Sequence, residues 1–333
     1  MPQKNFKVNS EIAILQSLTD RFLHLILFPT EACNFRCVYC YEKYKNGKME
    51  LDVVAGLKKF LSYRMAGLDH LVISWFGGEP LLAQEVIEDI STHIKSLIND
   101  SDKQVYTADM TTNGYLLSLP VFKKMIAFGI RNYQISFDGP PDIHNKKRLL
   151  ADKSETFDKI WENIERTKSL KETFAITVRL HIDTESYPHI FSFIDKYAQT
   201  FKDDKRYELF FRPTSCLGGI NDKNLPVMDS NEFNKATKNI GAYLRKLKIS
   251  YTTMENVRSI CYAAKLNCFA IRANGAINKC TVAMEEETNN VGFLHKDGSL
   301  AIRREQLLRW ARGLESNNEQ ELLCPLVNIE REP

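Results

Sequence analysis

The sequence predicts an α/β protein: an open, partial (β/α)6 barrel on a parallel sheet, followed by a small C-terminal α+β region. Three observations carry this expectation. Short apolar or aromatic runs alternate with apolar residues at helical spacing through most of the chain. That alternation stops near Ser250, where cysteines become dense. The composition, 44% hydrophobic and 26% charged over 333 residues, is globular and excludes a largely disordered chain. The length suits one large domain with a small appendage.

The first strand is the continuous apolar run Leu23–Phe28, as expected of a strand buried on both faces. His70–Phe76 is the second. Val86, Ile87, Ile90, Ile94, Leu97 and Ile98 then mark a helix. Val105–Thr112 is the third strand, and Val121, Phe122, Met125, Ile126 and Phe128 mark its helix. Asn132–Phe137 is the fourth, followed by a helix through Phe157, Ile160 and Ile164. Phe174–Ile182 and Ile190–Tyr197 form the fifth pair, and Tyr207–Pro213 is the sixth strand. Phe233–Leu247 reads as a helix. Such alternation argues for right-handed crossovers, with the working face at the strand C-termini. The expected organisation is an N-terminal segment (1–21), a barrel (22–249) and a C-terminal region (250–333).

Forty-five Lys+Arg against 42 Asp+Glu leave a net charge of +3. That is too little to make nucleic acid or an anionic membrane the default partner. The N-terminal apolar stretch of six residues is far too short to span a membrane. The first 20 residues show no secretory pattern. The expected location is the cytoplasm, where thiols stay reduced and clustered cysteines read first as metal ligands.

Cys33-x3-Cys37-x2-Cys40 places three thiols on one short loop after the first strand. A structural zinc closes a shell of four ligands, and no nearby His completes this set. A [4Fe–4S] cluster tolerates three protein ligands and leaves one iron open. A zinc completed by a remote residue is the alternative. Trp75-Phe76-Gly77-Gly78-Glu79-Pro80 ends the second strand, and its glycines allow close backbone approach to a ligand. Thr112-Asn113-Gly114 ends the third, where a plain turn reads equally well.

The cysteine loop, with Tyr39 just before its last cysteine, resembles the cluster loop of the radical S-adenosylmethionine (SAM) enzymes. That resemblance implies a [4Fe–4S] cluster on Cys33, Cys37 and Cys40, with SAM on the open iron. Reductive cleavage of SAM then yields a 5′-deoxyadenosyl radical. FGGEP resembles the family's methionine-amine motif, which puts backbone carbonyls of Gly77, Gly78 and Glu79 on the SAM amino group. Glu79 is expected to fix this loop. Asn113 matches a TNG motif that family members often carry. The stretch Ser136-Phe137-Asp138-Gly139 through His144 to Arg148 resembles another family signature. By that match Ser136 and Arg148 contact SAM, the guanidinium clamping the carboxylate. His144 orients the loop or is a surface histidine. Asp138 touches substrate or caps the turn. Arg179 and His181 share one side of the fifth strand. If that side is the barrel interior, they meet cofactor or substrate, and Arg179 counts among the candidate cofactor contacts.

Cys261-x6-Cys268, Gly275-x4-Cys280 and Cys324 supply four more thiols, enough for a closed cluster or a zinc held by four thiolates. Between them Phe269–Gly275 reads as a hairpin strand and turn. The stretch resembles the auxiliary-cluster domain called SPASM, or its shortened relative called twitch. It lacks the second cysteine set of full SPASM members. One auxiliary [4Fe–4S] cluster is therefore expected, with Cys324 its least secure ligand. Cys216 follows the sixth strand and reads as a buried structural thiol or as a hydrogen-atom donor.

Together these motifs resemble radical SAM maturases of ribosomally made peptides. The leading expectation is oxidative crosslinking, thioether or carbon–carbon, of a precursor peptide. A one-electron donor such as flavodoxin or ferredoxin would serve it. The alternatives are a peptide epimerase using Cys216, a dehydrogenase of a small molecule, and a zinc-stabilised binding module.

Overall fold

The computed structural model describes residues 6–98, 104–253 and 259–329. In chain order the first elements are α1 (Phe6–Leu18), β1 (Phe22–Thr30), α2 (Leu51–Met65), β2 (His70–Gly77), α3 (Gln84–Leu97) and β3 (Val105–Thr112). There follow α4 (Leu119–Ala127), β4 (Ile130–Phe137), α5 (Pro141–Lys147), α6 (Phe157–Arg166), β5 (Ala175–Ile182), α7 (Ile190–Phe201) and β6 (Tyr207–Pro213). The last are α8 (Ser230–Leu247), β7 (Tyr251–Thr253), β8 (Cys268–Ile271), β9 (Ala276–Asn278), β10 (Asn290–Leu294), β11 (Leu300–Ile302), α9 (Arg304–Ser316) and α10 (Glu319–Leu323). The chain divides into two compact units. The first is Met1–Ala32, Lys45–Ala108 and Arg258–Pro333; the second is Cys33–Tyr44 and Asp109–Val257.

In the first unit the strand order is β11-β10-β9-β8-β1-β2. β1 pairs in parallel with β2 on one side and with β8 on the other, His24 lying opposite Cys268. β9, β10 and β11 continue the sheet antiparallel. Residues Leu25 to Phe28 are all buried, which explains why β1 shows no polar alternation. α2 was not among the expected elements; it buries Val53, Val54, Leu57, Phe60, Leu61 and Met65 along one face. α9 is also additional, and its buried stripe of Trp310, Ala311 and Gly313 is a faint helical signal.

In the second unit β4, β5, β6 and β7 are all parallel, as the alternation predicts. β7 is a further strand, too short to stand out in the sequence. Phe137, Phe157, Trp161 and Phe193 pack ring to ring behind β4, the Phe157 and Trp161 rings stacked at 5.8 Å. This aromatic core fixes the strands whose C-terminal ends carry the polar groups described next. Among the described residues no helix is long and apolar enough to cross a membrane.

Candidate active site

All eight cysteines are free thiols. Cys33, Cys37 and Cys40 are half-buried on a loop whose backbone is carried by the segment after α5. Arg36 N donates to Leu149 O (2.8 Å), Val38 N to Lys147 O (3.0 Å), and Phe35 forms an isolated bridge with Leu150. Arg36 Nη1 donates to Cys33 O (2.8 Å), and its guanidinium lies 4.7 Å from the Tyr44 ring. Phe35 N and the Tyr44 hydroxyl donate to the sulfurs of Cys33 (3.4 Å) and Cys40 (3.1 Å). Burial pushes the Cys37 thiol up to about 11 and raises Cys40 as well. Left alone these thiols stay protonated; a bound metal would displace the protons.

Tyr39 is the hub of the loop. Its hydroxyl donates to Asp138 (2.9 Å) and accepts from Arg148 Nη1 (2.8 Å). His181 Nδ1 lies 3.1 Å from Asp138 Oδ1 and 3.2 Å from the Tyr39 oxygen. Burial drives His181 down to about 4, so its imidazole is neutral. Burial also opposes ionisation of Asp138, but the His181 hydrogen bond and the Arg148 charge outweigh it and hold the carboxyl at about 2. Asp138 therefore anchors the cysteine loop through Tyr39, a role not legible in the sequence.

His144 is wholly buried and is no surface histidine. Its Nε2 sits 3.1 Å from Thr156 Oγ1, which donates to Arg148 O (2.5 Å), so it steadies the Arg148 backbone. Arg148 keeps a buried Nε with no hydrogen-bond partner, as does Arg179. Arg179 is in register with the buried Ser136 on β4, and burial beside Arg212 lowers it to about 10. Two incompletely bonded guanidinium groups near the Tyr39 loop suit an anionic group such as a carboxylate. Asn113 Nδ2 donates to Asn34 Oδ1 (2.8 Å), tying the end of β3 to the same loop.

In the first unit, Gly77 (φ +119°) and Gly78 close on the exit of β1. A Cβ on either would stand 2.3 Å from Thr30 O or 2.4 Å from Ala32 O. The wholly buried Glu79 caps the next turn by accepting from Leu81 N (3.0 Å).

The C-terminal thiols also lie in the first unit. Cys268 is on β8, Cys280 follows β9, and Cys324 follows α10. Cys261 N donates to Leu322 O (2.8 Å), which brings the segments of Cys261 and Cys324 together. Burial pushes Cys261 up to about 11 and Cys268 to about 12, and the thiols of Cys280 and Cys324 add to the rise at Cys261. Asn289 builds the Cys280 loop: its Oδ1 accepts from Lys279 N (3.0 Å) and Cys280 N (2.8 Å), and its Nδ2 donates to Cys280 O (2.8 Å). Among the described residues no three His, Cys, Asp or Glu side chains converge as around a single ion. Cys261, Cys280 and Cys324 act on one another electrostatically, whereas Cys268 interacts among these thiols only with Cys261 and packs in an apolar cluster with Ile26, Phe28 and Ala270.

Cys216 is exposed, in contrast to the buried structural thiol weighed above, and lines a cavity of about 530 Å3 with Thr214, Met228 and Phe233. Its loop lies on the N-terminal cysteine loop. Asn221 Nδ2 donates to Val38 O (2.9 Å), and a Cβ on Gly219 would stand 2.7 Å from Cys40 O.

A parallel sheet with a three-cysteine loop after its first strand defines a class, and comparison with known families agrees. The chain belongs to the Radical SAM superfamily, whose profile matches residues 27–194, half of the chain. It is thus an enzyme of the kind that uses SAM and a [4Fe–4S] cluster. Among its relatives is the cysteine-type anaerobic sulfatase-maturating enzyme of Clostridium novyi (strain NT), 24% identical over 308 residues, 82% of this chain and 77% of the relative. The GTP 3′,8-cyclase of Aliarcobacter butzleri (strain RM4018) is 29% identical over 149 residues, 44% of this chain and 43% of the relative. The fold is shared with native anSMEcpe with bound AdoMet and Cp18Cys peptide (TM-score 0.64, 20% identity, 91% of this chain and 82% of that one). It is also shared with Streptococcus suis SuiB bound to precursor peptide SuiA (TM-score 0.59, 14% identity, 84% of this chain and 64% of that one).

Proposed function

We propose that the enzyme is a peptide maturase that oxidises a ribosomally made precursor peptide by two electrons, closing a thioether or carbon–carbon crosslink. The observation that carries this reading is the presence of two separate thiol sets, three on the loop after β1 and four in the C-terminal region. The relatives whose names include a maturating activity or a bound peptide support the choice of substrate.

Cys33, Cys37 and Cys40 would hold a [4Fe–4S] cluster that, with SAM and one electron from a flavodoxin or ferredoxin, supplies a 5′-deoxyadenosyl radical for hydrogen abstraction. Tyr39 fixes that loop through Asp138, His181 and Arg148. By the family resemblance, Gly77, Gly78 and Glu79 would offer backbone carbonyls to the SAM amino group. Ser136 would hydrogen-bond SAM, the Arg148 guanidinium would clamp its carboxylate, and Asn113 and Arg179 would be further contacts. Cys261, Cys268, Cys280 and Cys324 would hold one auxiliary [4Fe–4S] cluster, which supplies a one-electron acceptor. Atoms and electrons balance: the peptide loses one hydrogen atom to the adenosyl carbon, then one proton and one electron.

The test is co-expression with a candidate precursor, followed by mass spectrometry. Loss of two hydrogens with a new fragment-resistant link supports the reading. An unmodified peptide, with intact enzyme that still releases 5′-deoxyadenosine, rejects it. A second reading, peptide epimerisation, rests on the exposed Cys216 thiol and on the packing of Gly219 against Cys40 O. It requires unchanged peptide mass in H2O and one deuterium on a peptide α-carbon in D2O, the incorporation being abolished by Cys216→Ala.

A further inference from the structure

Lys279, between β9 and Cys280, has no place in the steps above, yet it is one of the most costly residues in the chain. It is wholly buried. Its ammonium donates to Lys265 O and Cys268 O, both at 2.5 Å, and stands 4.9 Å from the centre of the Phe269 ring. Among the described residues no carboxylate pairs with it; the acidic groups that act on it are the thiols of Cys268 and Cys261. An ammonium removed from water without an anion costs several kcal/mol, and an apolar side chain of similar length would avoid that cost. The missing counter-charge fits the C-terminal thiols once they are deprotonated by iron.

We propose that Lys279 is a positioning residue for the auxiliary cluster, a buried counter-charge that raises its reduction potential. This rests on the reading that Cys261, Cys268, Cys280 and Cys324 hold such a cluster. A four-thiolate cluster becomes more negative on reduction, so a fixed cation beside it stabilises the reduced form more than the oxidised one. The two carbonyls that hold the ammonium keep it near the Cys268 strand. Lys265 also acts on Cys268, but it is partly exposed and solvent screens it.

The test uses the full chain with Cys33, Cys37 and Cys40 replaced by Ala, so that only auxiliary iron remains. Iron and sulfide content and an EPR-monitored redox titration are compared for Lys279, Lys279→Arg, Lys279→Met and Lys279→Gln. Lys279→Met and Lys279→Gln should each shift the one-electron reduction equilibrium about tenfold toward the oxidised form, about 59 mV in midpoint, while Lys279→Arg stays near the parent. Loss of the cluster in Met and Gln but not in Arg also supports the charge pairing. A full cluster with an unchanged midpoint in Lys279→Met overturns the inference but leaves the auxiliary cluster standing. Loss of the cluster in all three variants assigns Lys279 a packing role and overturns it too. Absence of iron from the parent with Lys279 intact rejects the auxiliary-cluster reading itself.

Discussion

Arg272 closes a two-pronged ion pair on Glu31, with Nη2 to Oε2 at 2.7 Å and Nε to Oε1 at 3.0 Å. Glu31 is buried and also accepts from Asn46 Nδ2. The pair joins the exit of β1 to the turn after β8 within the first unit. Arg272→Ala would leave a buried carboxylate with only an amide partner. The expected loss is about 3 to 5 kcal/mol of stability, read from the denaturant midpoint; Arg272→Lys, which has no fork, should recover only part of it.

Tyr39→Phe removes the hydroxyl shared by Asp138, His181 and Arg148. The buried carboxylate and guanidinium each lose a bond. We expect a loss of about 1 to 3 kcal/mol, and iron bound to the N-terminal trio that is stripped faster by a chelator. Unchanged chelation kinetics would show that the loop does not need this anchor.

Acid should destabilise the fold through its buried histidines. Burial holds His144 down to about 3 and His24 to about 4, against an ordinary value of about 6.5. Between those limits the unfolded chain binds more protons, so stability rises with pH. It is fully present above about 6.5 and is lost as pH falls toward the folded values, by at most about 1.4 kcal/mol per pH unit for each histidine. His144→Gln should flatten the fall in the urea midpoint between about pH 7 and about pH 5.

Cys324→Ala tests the least secure ligand. Protein prepared without oxygen should contain roughly eight irons, and the variant roughly four. Retention of all eight would show that the auxiliary cluster is held without Cys324.

Much of this molecule was legible in the sequence. Val105–Thr112 and Tyr207–Pro213 begin and end where the apolar pattern says. β1 runs past the apolar run from Phe28 through Pro29 to Thr30. Both thiol sets were visible because cysteine spacing is a local signal. What stayed hidden was long-range. Nothing near Cys268 announces that β8 will lie beside β1, more than 200 residues away in the chain. Nor does the loop sequence reveal that Tyr39 will meet Asp138 and His181, since each is an ordinary polar residue until the strands align. Asn289 and Lys279 escaped for the same reason: their meaning lies in backbone groups brought to them by other segments.

The seating of β8 against β1 carries a practical warning. β1 holds its place between β2 and β8, with both hydrogen-bonding edges satisfied. Cutting the chain ahead of β8 would bare one whole edge of an apolar strand, an open invitation to aggregation. A truncated protein would thus precipitate for reasons unrelated to electron flow, and only single-residue replacement can ask what the last quarter of the polypeptide contributes to turnover.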